Sequence, residues 1–150
     1  MYLQEWGDNS SDKMSVLAHE MTHLVLNRFL ETPLPLWLNE GLAEYYGEFA
    51  YRAVRGMGQS KSSAFPRTQD LLPLKTLLSL TTYPPDPIVL TYYRTAKYLV
   101  GFLRLKHAPA CWNAYLAAVA TGSPTLPALL TSFPYPDLST LESSFQKFAH

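Results

Sequence analysis

The sequence predicts a single, mainly α-helical domain over residues 1–150. Apolar residues recur at helical spacing along much of the chain, prolines separate these segments, and strand patterns are few. The length of 150 residues suits one domain, and a hydrophobic fraction of 47% is enough to build a core. Cys111 is the single cysteine of the chain, so the fold must hold without an internal disulfide.

The first predicted helix covers residues 14–30. Four apolar residues recur there at the spacing of one helix face, namely Leu17, Met21, Leu24 and Val25. Ser11 or Asp12 is expected to cap its start, and the prolines of ETPLP, residues 31–35, end it. Similar patterns predict further helices near residues 36–51, 74–80, 88–106, 109–120, 123–130 and 139–149.

Turn and capping residues define the later segments. The polar stretch GMGQSKSSAFPRTQD, residues 56–70, is typical of a loop. Serine followed by proline at 123–124 is expected to open one helix, and STLE, residues 139–142, has the pattern of a capping box for the last. A strand is expected only near residues 1–6.

The charge balance excludes several classes of function. Lysine and arginine total 12 and aspartate and glutamate total 12, so the formal net charge is zero. No basic stripe indicates nucleic-acid binding, and no basic cluster indicates anionic lipid.

No run of eighteen apolar residues predicts a membrane span, and residues 1–14 lack the pattern of a signal peptide. The sequence assigns neither a compartment nor an oligomeric state.

The segment AHEMTH, residues 18–23, carries a metal-binding pattern. Successive helix residues turn by about 100°, so His19 and His23 lie on one face, one turn apart. Two imidazoles in this arrangement can reach one tetrahedral zinc ion at about 2.0–2.1 Å. Glu20 lies too far around the helix to bind the same ion, but it can reach a water beside it and act as a general base.

A third ligand follows in WLNEGLAEY, residues 37–45. The proline loop returns the chain antiparallel to the first helix, which brings Glu40 towards the two histidines. A catalytic zinc ion takes three protein ligands and an open position, and Glu40 completes that set. Glu44 lies one turn further on, where it is expected to accept the free N–H of His19. The alternative for Glu44 is a solvated surface charge.

The two motifs together resemble the gluzincin zinc peptidases of the peptidase MA-like group. The resemblance implies a zincin-like helical domain with one Zn²⁺ ion and a peptide or protein substrate. It implies that His19, His23 and Glu40 bind the ion and that Glu20 is the general base. Family members place a β-sheet before the motif, but only eighteen residues precede His19. We therefore expect that sheet to be absent or reduced to MYLQEW.

The segment YYRTAKYLVGFL, residues 92–103, extends the resemblance. In the family a tyrosine precedes a long apolar helix, and by that pattern Tyr93 donates a hydrogen bond to the oxyanion. Tyr92 takes this place if the register slips by one residue. Both tyrosines are otherwise packing residues.

Three hypotheses follow from these residues. The first is a zinc-dependent peptidase, in which Glu20 acts on a metal-activated water. The second is a zinc-binding interaction or scaffold module without turnover, which the short segment before His19 motivates. In the third, no metal binds and the acids and histidines form a polar network. His107 and Cys111 are interpreted as structural residues.

Overall fold

Seven α-helices form the part of the chain that the computed structural model describes, residues 10–58 and 64–150. They are α1 (Ser10–Phe29), α2 (Leu36–Val54), α3 (Leu74–Ser79), α4 (Asp86–Leu105), α5 (Pro109–Ala120), α6 (Thr125–Ser132) and α7 (Leu138–Ala149). These two ranges contain no strand, and the prediction of a mainly α fold is confirmed. The strand expected near residues 1–6 lies outside the described residues.

The helix ends differ from the predicted caps at three places. Helix α1 already includes Ser10, so Asp12 lies in its first turn, where its charge suits the helix dipole, and not at the cap. The residue before α6 is Pro124, with extended backbone angles. The cap of α7 is Asp137, whose carboxylate accepts a hydrogen bond from the backbone N–H of Thr140 at 2.8 Å. STLE is therefore not the capping box.

Helix α2 is the centre of the fold. Helix α1 packs along one of its faces and α4 packs against another. Contacts run in opposite directions along α1 and α2, from Ser15 beside Gly47 to His23 beside Glu40, so the two helices are antiparallel. Large side chains from α2, α4, α5 and α7 are fully buried in one core and include Trp37, Leu38, Leu99, Leu103, Tyr115 and Phe145. Burying each such side chain contributes about 1.5–3 kcal/mol.

The apolar stripe of α1 does not face this core. The residues that predicted the helix are 43–61% exposed; they are Leu17, Met21, Leu24 and Val25. They lie on the side of α1 opposite His19, while α2 packs against the histidine side. The stripe thus predicted the helix but not the direction in which it packs.

Among the described residues, no helix has both the length and the hydropathy needed to cross a membrane.

Glycines on α2 allow its neighbours to approach closely. A Cβ atom on Gly41 would lie 2.7 Å from the carbonyl oxygen of Ala96 in α4. A Cβ atom on Gly47 would lie 3.0 Å from the carbonyl oxygen of Ser15 in α1. Because both neighbours are backbone atoms, they cannot move aside as a flexible side chain can.

Replacing Gly41 with alanine is expected to destabilise the protein by about 1–3 kcal/mol, because the added methyl group forces α2 and α4 apart. This is the net loss expected after the roughly 1 kcal/mol by which alanine favours a helix interior over glycine has been subtracted from the cost of the clash. Urea unfolding measures the difference. Gly58→Ala is the control, since nothing lies within 4 Å of its added Cβ. Equal stabilities of Gly41→Ala and the unmodified protein would contradict the close packing.

Candidate metal centre

Two histidines of α1 and one glutamate of α2 converge on a single point. His19 and His23 are one turn apart on the face of α1 that meets α2, and Glu40 lies in the second turn of α2. The Nε2 atoms of the two histidines are 3.1 Å apart. Oε2 of Glu40 lies 3.6 Å from His19 Nε2 and 3.4 Å from His23 Nε2. Three potential ligand atoms thus form a nearly equilateral triangle.

The triangle has the size that a zinc ion requires. Ligand atoms about 2.0–2.1 Å from a tetrahedral ion are roughly 3.3–3.4 Å from one another. The three observed separations, from 3.1 to 3.6 Å, bracket this value. Two imidazole nitrogens and one carboxylate oxygen are also one of the donor sets found in catalytic zinc sites. The residues present therefore fit one zinc ion.

Further hydrogen bonds orient both imidazoles. Nδ1 of His23 donates to Oδ1 of Asn39 at 2.7 Å, and Nδ1 of His19 lies 3.1 Å from Oε1 of Glu44. A hydrogen on Nδ1 leaves the lone pair of Nε2 directed at Glu40, which is the tautomer that a metal needs. Glu44 is at the predicted place beside His19. Sequence reasoning missed Asn39, although it stands directly before Glu40 in the motif.

Tyr83 is a second contact that sequence reasoning missed. It lies between α3 and α4, and its hydroxyl donates to Oε1 of Glu40 at 2.5 Å. Glu40 itself is only 3% exposed. A buried carboxylate needs hydrogen-bond partners, and Tyr83 supplies one for the oxygen that faces away from the histidines. No sequence signal indicates this contact, because 43 residues separate the two partners.

His19, His23 and Glu40 form a cluster whose charges raise the pKa of His19 and lower that of Glu40. Burial alone lowers the pKa of His19, but hydrogen bonds and negative charges from Glu40 and Glu44 outweigh it and raise that pKa to about 9. Burial raises the pKa of Glu40, while the hydrogen bonds from His19 and Tyr83 and the charge of His23 bring it below its ordinary value. In the metal-free protein, a proton on His19 therefore occupies the place that an ion would take.

The remaining predicted site residues lie around this cluster. Glu20 is exposed, and its negative charge is the smallest of the causes that raise the pKa of Tyr83 and Tyr93. Tyr93 is half-buried, and its ring lies 6.4 Å from that of Tyr83. Tyr92 is fully buried, and its hydroxyl has no hydrogen-bond partner among the described residues.

A cleft of about 450 Å³ opens beside the cluster. Glu44 and Tyr93 form the part nearest the histidines, and Leu90, Arg94 and Lys97 line its wall. Arg94 is paired with Asp70 outside the cleft, and Lys97 lies 3.8 Å from Glu48. The cleft thus combines an apolar wall with paired charges. Its lining includes Glu44, which contacts His19, but not the candidate ligands themselves.

The other residues singled out from the sequence lie elsewhere. Nε2 of His107 is 2.6 Å from the hydroxyl of Tyr135, and its ring packs against Phe102 and Phe133. Cys111 is half-buried and packs against the core. Neither residue contributes to the cluster of His19, His23 and Glu40.

No family model, curated protein or solved structure matches this chain. The resemblance to gluzincin peptidases therefore rests on the motif residues of the sequence.

The protein is expected to bind one zinc ion per chain. Glu40→Gln is expected to weaken zinc binding by at least about 10-fold, because it removes the negative charge of one ligand. At a free zinc concentration 100 times Kd, binding stabilises the folded chain by about 2.7 kcal/mol. Zinc content after dialysis and the unfolding temperature with added zinc measure both effects. Glu31→Gln, which removes an exposed carboxylate outside the cluster, is the control. Absence of stoichiometric zinc and of any thermal shift would favour a metal-free polar network.

The stability of the metal-free protein is expected to fall between pH 6.5 and about 9, because His19 holds its proton more tightly in the folded chain than in the unfolded one. The stabilisation that this proton provides is complete below the pKa of His19 in the unfolded chain, near 6.5. It is lost as the pH rises through the pKa of the folded chain, about 9. A pKa shift of this size corresponds to a change of about 3 kcal/mol in the free energy of unfolding. Urea unfolding in the presence of a chelator measures it, and His19→Gln should flatten the profile. A flat profile for the unmodified protein would refute the shift.

Proposed function

We propose that this protein is a zinc-dependent peptidase of the gluzincin type. The observation that carries the proposal is the triangle formed by Nε2 of His19, Nε2 of His23 and Oε2 of Glu40, with sides of 3.1 to 3.6 Å. Three ligands from two helices leave a fourth tetrahedral position for a water or a substrate, as catalytic zinc sites do and structural ones do not.

His19, His23 and Glu40 would hold the ion, and two neighbours keep them ready to do so. Asn39 and Glu44 fix the imidazole orientation through the Nδ1 atoms, so no ring has to turn when the ion binds. When bound, zinc polarises the scissile carbonyl and lowers the pKa of a water molecule towards 7.

Glu20 is the proposed general base. It follows His19 directly on α1 but is turned about 100° away from it, which keeps its carboxylate out of the ligand triangle. Its exposure allows a water to lie between the carboxylate and the ligands. In the proposed reaction Glu20 takes a proton from the attacking water and passes it to the leaving amine.

Tyr93 is the proposed donor to the oxyanion. It lines the cleft next to Glu44, and its side chain is half-buried. Burial and the charges of Glu40, Glu44 and Glu20 raise the pKa of its hydroxyl, so the group keeps the hydrogen it must donate. Tyr92 suits this role less well because its side chain is fully buried.

A zinc-binding module without turnover is the second candidate function. The observation that favours it is the absence of any strand from residues 10–58 and 64–150. Strand addition gives a peptide backbone its affinity through main-chain hydrogen bonds, and the described cleft is lined by helices and loops. The two functions share the metal ligands and differ only in hydrolysis.

Glu20→Gln is expected to retain one zinc ion and to lose about 10²–10⁴-fold in the rate of peptide cleavage, because the amide cannot accept the proton of the attacking water. Cleavage of a fluorogenic peptide library and zinc analysis of the same sample measure the two properties. Glu31→Gln should cleave at the rate of the unmodified protein. Undiminished cleavage by Glu20→Gln would disprove the mechanism. Zinc binding by the unmodified protein without any cleavage would favour the module without turnover.

A further inference from the structure

The two oxygen atoms of Glu40 have different partners. Oε2 faces the histidines, at 3.6 Å from His19 Nε2 and 3.4 Å from His23 Nε2. Oε1 accepts the hydroxyl hydrogen of Tyr83 at 2.5 Å. Because the carboxylate is 3% exposed, water has little access to either oxygen. Tyr83 therefore determines how the carboxylate is turned towards the ligand triangle.

The orientation of this carboxylate decides how many positions remain around an ion. A carboxylate can bind a metal through one oxygen or through both. If both oxygens of Glu40 bound the ion, the second would compete for the position that a catalytic site keeps open. A hydrogen bond from Tyr83 disfavours this, because it takes up one lone pair of Oε1, draws negative charge from that oxygen and ties it to the tyrosine hydroxyl.

We propose that Tyr83 is a positioning residue that restricts Glu40 to binding the metal through Oε2 alone and so keeps the fourth position free. The proposal rests on the metal centre described under the proposed function. It assigns Tyr83 no contact with the substrate or with the reacting atoms. Its effect is exerted entirely through Glu40.

The segment around Tyr83 is suited to hold its hydroxyl in place. Pro84 and Pro85 follow it, so the backbone of Tyr83 and of the two residues after it is restricted, and Pro85 is the residue from which α4 begins. The ring of Tyr83 also packs against Tyr93 at 6.4 Å between centroids. A short loop with few accessible conformations thus presents the hydroxyl to Glu40.

The exposure of Tyr83 makes a clean test possible. The residue is 56% exposed, so Tyr83→Phe removes the hydroxyl without leaving a cavity in the core. Tyr46→Phe is the matched control. It removes a hydroxyl from a tyrosine that is 40% exposed, and that hydroxyl accepts a hydrogen bond from Arg104 and not from one of the cluster residues. Circular dichroism and the unfolding temperature of the metal-free chains verify that both variants fold.

The test replaces zinc with Co²⁺ in the full chain and records its visible absorption, which depends on the number and arrangement of ligands. We expect the spectrum of Tyr83→Phe to lose intensity relative to the unmodified protein, and zinc affinity to fall by about 10-fold. Tyr46→Phe should keep the spectrum of the unmodified protein.

The outcomes separate this proposal from the peptidase proposal, since the spectrum requires no peptide. Superimposable cobalt spectra for Tyr83→Phe and the unmodified protein would overturn the role of Tyr83, whatever the zinc affinity, and would leave the metal centre intact. A chain that binds neither cobalt nor zinc would refute the metal centre itself. An equal loss of intensity in Tyr46→Phe would also refute the specific role of Tyr83.

Discussion

The antiparallel contact between α1 and α2 is the constraint on which the candidate site depends. Each helix presents two site residues one turn apart, His19 and His23 on α1 and Glu40 and Glu44 on α2. Because both helices have the same pitch, the pairs meet in register when the helices run in opposite directions. Gly47 permits the close approach, since any larger residue would meet the backbone of α1. The site is thus a property of one helix pair.

Among residues 10–58 and 64–150, the other helices pack mainly against one member of this pair. Helix α2 packs against α4, and its buried residues belong to the main core. Helix α1 packs chiefly on α2, and its apolar stripe is exposed. Thus Glu40 belongs to the core, whereas the two histidines are held in place largely by the polar contacts of the cluster. The hydrogen bonds to Asn39 and Glu44 consequently join two layers as well as orient two rings.

Local patterns predicted much of this arrangement, because they encode short-range geometry. The spacing of His19 and His23 fixes their common face, and the proline loop fixes the direction of α2. The helices were predictable for the same reason, with errors at caps such as Asp137, where one hydrogen bond decides the boundary. Tyr83 was not predictable, because its contact with Glu40 depends on how a distant loop packs. The outward direction of the α1 stripe also depends on packing and not on periodicity.

The exposed stripe of α1 has a thermodynamic consequence for the candidate metal centre. A helix held mainly by one neighbour separates from the core at a lower free energy than the core itself unfolds. An ion bound by His19, His23 and Glu40 would bridge that helix to the core, so its binding energy would add directly to the cost of local opening. Amide hydrogen exchange in α1 would then slow with metal occupancy, while exchange in α4 would remain governed by global unfolding. In this fold, an ion would act as a cross-link between a peripheral helix and a preformed core.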